Sequence, residues 1–329
     1  MTVLQDLVEP ETAGDPTGTA TWVRSSLRAL SARLAAAGHP ASPPTVGRLL
    51  RRLGYGLHAN AKQVEASARH PERDAQFAHL TAQRAAFQAA GLPVLSVDTK
   101  KKELIGDFKN AGRAWRREAA RVNVHDFPQD ALGRAVPYGV YDLIHNRGTV
   151  YVGSSGDTPR FAVDAIARWW ATEGRQRFPR TDRLLLLADA GGSNGCRPRL
   201  WKHQLQAALC DPFGLTVTVC HYPTGCSKYN PIEHRLFGPI SGNWAGQPLR
   251  TWDTMLALIR GTTTTTGLAV QAARLEGQYP TGERAPDAAM AALNLERHAV
   301  CPTWNYTIRP RPAQLQRPEA APASREVIP

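Results

Sequence analysis

Two kinds of apolar spacing divide this chain. In its first third the spacing is helical. Trp22, Leu27, Leu30 and Leu34 recur at helical intervals from Ala20 and run into Ala35-Ala36-Ala37, and Gly38-His39-Pro40 stops the run. Ser42 is placed to cap a second helix, with Pro43 and Pro44 in its first turn and Val46, Leu49, Leu50 and Leu53 as its stripe, before Gly54-Tyr55-Gly56. Residues 1–19, with Pro10, Gly14, Asp15, Pro16 and Gly18, read as an irregular lead-in, and 62–90 (Gln63, Val64, Phe77, Leu80, Ala85, Phe87) as further linking helices. Gly91-Leu92-Pro93 marks a boundary.

Beyond that boundary the pattern becomes that of strands and helices in turn. Val94 to Asp98, 136–144, 149–153, Arg183 to Asp189 and Leu215 to Cys220 read as strands, with Asn146-Arg147-Gly148 as the turn joining the second to the third. Between them lie predicted helices: Pro159 to about Thr172, capped by Asp157 or Thr158, and Pro198 to Leu209. Later helices are predicted over Thr251 to Arg260 and Ala288 to Leu295, with five threonines, Thr262 to Thr266, as a loop or β-prone stretch. From Arg309 the composition turns Pro-rich, which suits a disordered tail. The expected architecture is α/β: a helical region at 1–90, a mixed sheet flanked by helices at 91–308, and the tail at 309–329.

Three carboxylates stand at the ends of these elements. Asp98 closes one strand. Asp189 closes another, a wholly apolar run that suits burial on both faces. Glu233 falls in the first turn of a helix that opens at Asn230-Pro231. Taken singly, each has a bland reading as a turn or cap residue; Glu233 in particular suits a capping box, reaching back to the Asn230 N–H. Taken together, strand-end acids converge at one edge of an α/β sheet, and three of them suit two Mg²⁺ ions, which prefer oxygen ligands. A lysine run, Lys100-Lys101-Lys102, follows Asp98 directly.

Charge sharpens this. Forty Lys and Arg against 28 Asp and Glu give +12, a surplus that favours polyanions. By pattern alone the two helices, with Arg48, Arg51 and Arg52 on the second, read as an ordinary helical hairpin with a solvated arginine face; the charge moves them a modest way toward a DNA-binding helix-turn-helix. No apolar run of about 18 residues occurs, so no membrane span is expected. The acidic start, Met1 to Thr12, lacks a secretion-signal pattern. Five cysteines without a CxxC pair suit buried thiols in a cytoplasm, not a disulfide framework or a zinc site.

Three segments carry a family resemblance. They are Val97-Asp98-Thr99-Lys100-Lys101-Lys102-Glu103, Ala188-Asp189-Ala190-Gly191-Gly192-Ser193-Asn194-Gly195, and Ser227-Lys228-Tyr229-Asn230-Pro231-Ile232-Glu233-His234-Arg235-Leu236-Phe237. In these the chain resembles the DDE transposases of bacterial insertion sequences, most closely the Rhodopirellula-type family. Weaker likeness runs from about Trp22 through Tyr306. The resemblance implies an RNase H-like catalytic domain and a nucleoid-associated enzyme that cuts and transfers DNA strands as a homo-oligomer on element ends and target. It makes Asp98, Asp189 and Glu233 the ligands of two Mg²⁺ ions, with Mn²⁺ an alternative, and Asn194 and Asn230 supporting residues. Lys100, Lys101, Lys102, Lys228 and Arg235 become candidates for phosphate contacts. Cys226 departs from the family pattern, which has threonine there, and set against that pattern the expectation is of an amino terminus short of an upstream DNA-binding helix. Two alternatives remain: a helix-turn-helix protein whose acids are structural, and an RNase H-like nuclease.

Overall fold

Val94–Thr99 forms β3, the strand on which the larger part of the molecule is built. The computed structural model describes residues 2–8, 12–14, 21–23, 25–56, 70–114 and 116–312. The first part of the expected 62–90 helices, up to residue 69, and the tail beyond Pro312 lie outside the described residues. The chain divides into two compact units, Met1–Ala66 and Ser67–Pro329.

The first unit holds α1 (Thr2–Val8), an antiparallel pair β1 (Thr12–Gly14) and β2 (Thr21–Val23), then α2 (Leu27–Ala36) and α3 (Pro43–Arg52). Its core is small: Leu4, Val8, Leu30, Leu34 and Val46. Two expectations change. The start is helical, because Leu4 and Val8, one turn apart, reach that core. The helix expected from Ala20 begins at Leu27 instead: Thr21–Val23 pairs as a strand, and the Ser26 hydroxyl caps the helix by accepting from Ala29 N at 3.2 Å. Ser42 holds the cap position of α3, but its hydroxyl pairs with Thr45 Oγ1 at 3.0 Å. Arg48, Arg51 and Arg52 lie exposed on α3.

The second unit is a mixed sheet between helical layers. Beside β3 it contains β4 (Glu103–Ile105), β5 (Gly133–Asp142), β6 (Arg147–Gly153), β7 (Arg183–Asp189), β8 (Thr216–Tyr222), β9 (Ala269–Arg274), β10 (Leu295–Arg297) and β11 (Asn305–Ile308). The spatial order is β10-β11-β8-β7-β3-β5-β6-β9, with β4 paired to β5. β3 runs antiparallel to β5 and parallel to β7, which is parallel to β8. The central five strands therefore read third-second-first-fourth-fifth in spatial order, the RNase H-like arrangement.

Side-chain alternation assigns the two faces. Leu95, Val97, Leu186 and Ala188 join the core under α5 (Pro159–Trp169), whose first turn is capped by Thr158 accepting from Phe161 N. Val94, Leu185 and Leu187 face the other way. They pack toward α4 (Arg73–Ala89), the helical run 231–243 and the helix Trp252–Arg260. Ser96 and Asp98 share this second face. Helix α4, grouped with the amino-terminal region on sequence, thus belongs to the sheet unit.

Smaller differences follow from the same packing. The turn between β5 and β6 comes earlier than expected, over Leu143–Asn146, where Asn146 adopts φ +52° and Asp142 accepts from Ile144 N. The expected helix over Ala288–Leu295 is Asp287–Ala291, and Leu295 opens β10.

Candidate active site

At the carboxyl end of β3, Asp98 lies opposite Gly139 of β5 and beside β7, which ends at Asp189. Both acids are partly buried. Glu233 arrives from the helical run 231–243, and the way that run meets the sheet depends on glycine. A Cβ on Gly139 would lie 2.6 Å from Phe237 and 2.8 Å from Ile232, and one on Gly148 would lie 2.3 Å from Leu236. Bare backbone at these two positions lets the helix settle directly onto β5 and β6. Its first full turn is widened: the Gly238 N–H reaches Glu233 O, five residues back, so Glu233–Phe237 forms a π turn.

The capping-box reading of Glu233 does not survive this geometry. The Asn230 N–H is taken by Ser227 O at 2.8 Å. The Asn230 side chain does not cap the helix either. Its amide nitrogen donates to Asp189 Oδ1 at 3.0 Å and its oxygen accepts from Ser96 Oγ at 2.5 Å. The Asp98 Oδ1 accepts from Thr99 N at 2.8 Å. Among the described residues this leaves one oxygen of each aspartate without a hydrogen bond.

The acids sense one another. Burial pushes the Asp98 carboxyl up to about 8, with the Asp189 charge adding to it and smaller contributions from Glu233 and Asp157. Asp189 is raised to about 6, first by burial and then by Glu233, against the pull of the Asn230 hydrogen bond. Glu233 is raised by burial and eased by His234 and Lys100. Among the described residues, however, no three His, Cys, Asp or Glu side chains close tightly enough to hold an ion as they stand. The acids thus stand near enough to raise one another's pKa values, but not close enough to enclose an ion as they are placed. Oxygen-only donors of this charge fit Mg²⁺ or Mn²⁺ rather than a thiolate-seeking metal.

The supporting and basic residues divide. Asn230 is in the hydrogen-bond network. Asn194 is not: it is fully buried, His221 Nε2 lies 2.9 Å from its carbonyl oxygen, and neither of its amide atoms has a partner among the described residues. Lys100 is buried, 3.5 Å from Glu103 and 4.5 Å from the centre of the Trp244 ring, and burial lowers its pKa. Lys101, Lys228 and Arg235 are exposed, while Lys102 pairs with Asp157 at 3.3 Å. Two adjoining clefts, about 240 and 480 Å³, share Lys109 and Asn110; Lys101 and Lys102 line the first, Arg113 and Arg117 the second.

Sequence reasoning missed two residues here, Asp157 as a neighbour of the site and Ser96. Asp157 accepts from Thr99 Oγ1 at 3.0 Å. The other two aspartates lie within the ends of their strands, whereas Asp157 comes four residues past the end of β6, where it passes for a cap. Nothing in the sequence marks Ser96. Tyr138, across from Thr99, is fully buried with its hydroxyl unpartnered among the described residues, and burial, then Asp98 and Asp157, raise its pKa.

No described helix is long and apolar enough to cross a membrane. No curated protein matches the chain. Two similar solved structures are a Mos1 transposase paired-end complex with left transposon end (12% identity over 77% of this chain and 67% of that one, TM-score 0.41) and a Mos1 mariner paired-end complex with Mn (12%, 76% and 67%, TM-score 0.42). The likeness is remote, and the site stands on the geometry of this chain alone. Residues 3–310 match the family described as the Rhodopirellula transposase DDE domain, so the chain belongs to that DDE transposase family.

Proposed function

We propose that this DNA transposase cuts and rejoins strands at the edge formed by Asp98, Asp189 and Glu233, which would hold two divalent ions, Mg²⁺ or Mn²⁺. The observation that carries the reading is geometric: two strand-end aspartates each keep one carboxylate oxygen without a hydrogen bond among the described residues, and burial and one another's charge raise their pKa values, as expected of an acid cluster built for cations. Acids with a purely structural role would be paired within the protein instead. When bound, such ions supply charge for a water or 3′-hydroxyl nucleophile and for the leaving oxygen.

The residues of the chain do the rest. Thr99 N and Asn230 each hold one aspartate oxygen and leave the other to ligate. The glycine seat fixes Glu233 beside them. Lys101, Lys102, Lys109, Arg113 and Arg117 line two adjoining clefts that suit a phosphodiester backbone. Arg48, Arg51 and Arg52 on α3 give the first unit a basic face for the element ends. Because an element has two ends, the active form on DNA is an assembly of at least two copies.

The test is a strand assay on DNA carrying the element's own ends, with an RNA–DNA hybrid alongside. Metal-dependent nicking and joining of the DNA supports the reading. Normal binding with neither nicking nor joining contradicts it, and cleavage confined to the hybrid would replace it with an RNase H-like nuclease.

A further inference from the structure

The strand that carries Asp98 also carries a fully buried hydroxyl. Ser96 lies two residues before Asp98 on the same face of β3, amid Leu95, Val97 and the cross-strand neighbours Tyr141 and Leu187, all buried. These neighbours alone would suit an apolar side chain. A hydroxyl there is tolerated only if bonded, and this one is bonded twice.

The direction of those bonds is fixed by elementary chemistry. The Ile232 backbone N–H can only donate, and it donates to Ser96 Oγ at 3.1 Å. The hydroxyl proton is then free for Asn230 Oδ1, 2.5 Å away. An amide whose oxygen is so occupied must present its NH₂ on the other side. That group donates to Asp189 Oδ1 at 3.0 Å. One oxygen of Asp189 is thereby assigned to the protein and the other left open. The same hydroxyl satisfies a first-turn N–H of the helix bearing Glu233, one of the donors that a helix start leaves unpaired. A single side chain on the first strand thus ties down the second and third acids.

We infer that Ser96 is a positioning residue of this transposase: through Asn230 it sets the orientation of the Asp189 carboxylate, and through Ile232 it fixes the helix start that presents Glu233. The inference rests on the reading of these acids as metal ligands. It names no new contact with DNA or ion; Ser96 acts through other residues.

Mn²⁺ binding to the full chain, followed by the loss of the free-ion electron paramagnetic resonance signal, tests it without relying on activity. Ser96→Ala should weaken Mn²⁺ binding about 10- to 100-fold, the range seen when a hydrogen-bond partner of a metal ligand is removed. The Mn²⁺ concentration for half-maximal strand cleavage should rise in parallel, while affinity for element-end DNA stays unchanged. Asn230→Ala should also weaken it, and the double variant should lose less than the product of the two single losses, because the two residues share the route through Asp189. Ser96→Ala with native circular dichroism and wild-type Mn²⁺ affinity overturns the inference, as do losses that multiply in the double variant. If Ser96→Ala does not fold, Ser96→Cys keeps the shape with a weaker donor, and a loss between wild type and Asn230→Ala is expected; wild-type Mn²⁺ affinity in that variant overturns it equally. A wild-type chain that binds no Mn²⁺, or an Asp189→Asn variant that binds it undiminished, overturns the metal reading and this inference together.

Discussion

The acids and the bases of this protein are held in opposite ways. Asp98 and Asp189 sit at the edge of a two-sided core, each with one oxygen fastened by the protein, and Glu233 rides on a helix pressed against glycines. Arg48, Arg51 and Arg52 stand exposed on a ten-residue helix over a core of five buried side chains. On the proposed function, the difference follows from what each would do. Chemistry at a phosphorus needs groups fixed to within a fraction of an ångström, whereas attraction to a phosphate backbone falls off slowly with distance and tolerates loose side chains. Lys100 sharpens the contrast: alone among the candidate DNA contacts it is buried, against Trp244, and so belongs with the fixed groups.

The largest effect should come from the acids. Asp98→Asn, Asp189→Asn or Glu233→Gln should each lower strand cleavage by at least about 10³-fold, as expected for losing several kcal/mol of charge stabilisation. Binding of element-end DNA should be nearly untouched. Gel-shift and cleavage assays on the same preparations separate the two, and a parallel loss of both would erase the distinction between scaffolded acids and adaptable bases.

Next in size is the glycine seat. Gly139→Ala places a methyl 2.6 Å from Phe237, which must move or lift the helix. A cost of about 1–3 kcal/mol is expected, measured by urea unfolding, together with weakened Mn²⁺ binding. Unaltered stability and metal affinity would mean that the close approach is not what positions Glu233.

A smaller effect concerns pH. Both aspartates have folded-state pKa values raised above the usual 3.8, to about 8 and about 6. The folded chain therefore binds protons more tightly than the unfolded chain. That stabilisation is complete below about pH 4 and is lost as pH rises through about 6 and then about 8. Metal-free Asp98→Asn escapes part of this loss. Its Tm should exceed that of wild type by about 2–6 °C at pH 8 and converge with it near pH 4. Mg²⁺ should raise the wild-type Tm at pH 8 and leave the variant nearly unmoved. A variant less stable than metal-free wild type at pH 8 would contradict the raised pKa of Asp98.

The smallest effect per residue belongs to the amino-terminal bases. Replacing Arg48, Arg51 or Arg52 singly by Ala should reduce the slope of log affinity against log salt by about 1 for each phosphate no longer neutralised. Cleavage at saturating DNA should persist. Unchanged slopes would remove α3 from the DNA interface.

Much of the candidate site was legible in the sequence because its acids follow local rules. β3 and β7 are apolar runs with Asp at or next to their last residue, and Asn230-Pro231 announces a helix start. What was not legible is long-range. Ser96 is an unremarkable strand residue until Asn230, 134 positions later, is placed against it. Gly139 and Gly148 gain their meaning only from Phe237, Ile232 and Leu236. β10 and β11, three and four residues long, are too short to show an alternation of their own; β11 exists because β8 offers it an edge, and β10 because β11 does. The same limit explains Asn230: local rules make it a helix cap, and a partner on another strand takes its side chain away.

The central claim is that three acids distant along the chain share divalent ions. Crystals grown with Mn²⁺ and recorded near the manganese absorption edge would test it most directly. The account predicts anomalous density bounded by the carboxylates of Asp98, Asp189 and Glu233; density at any other side chains, with these three left empty at saturating Mn²⁺, would contradict it.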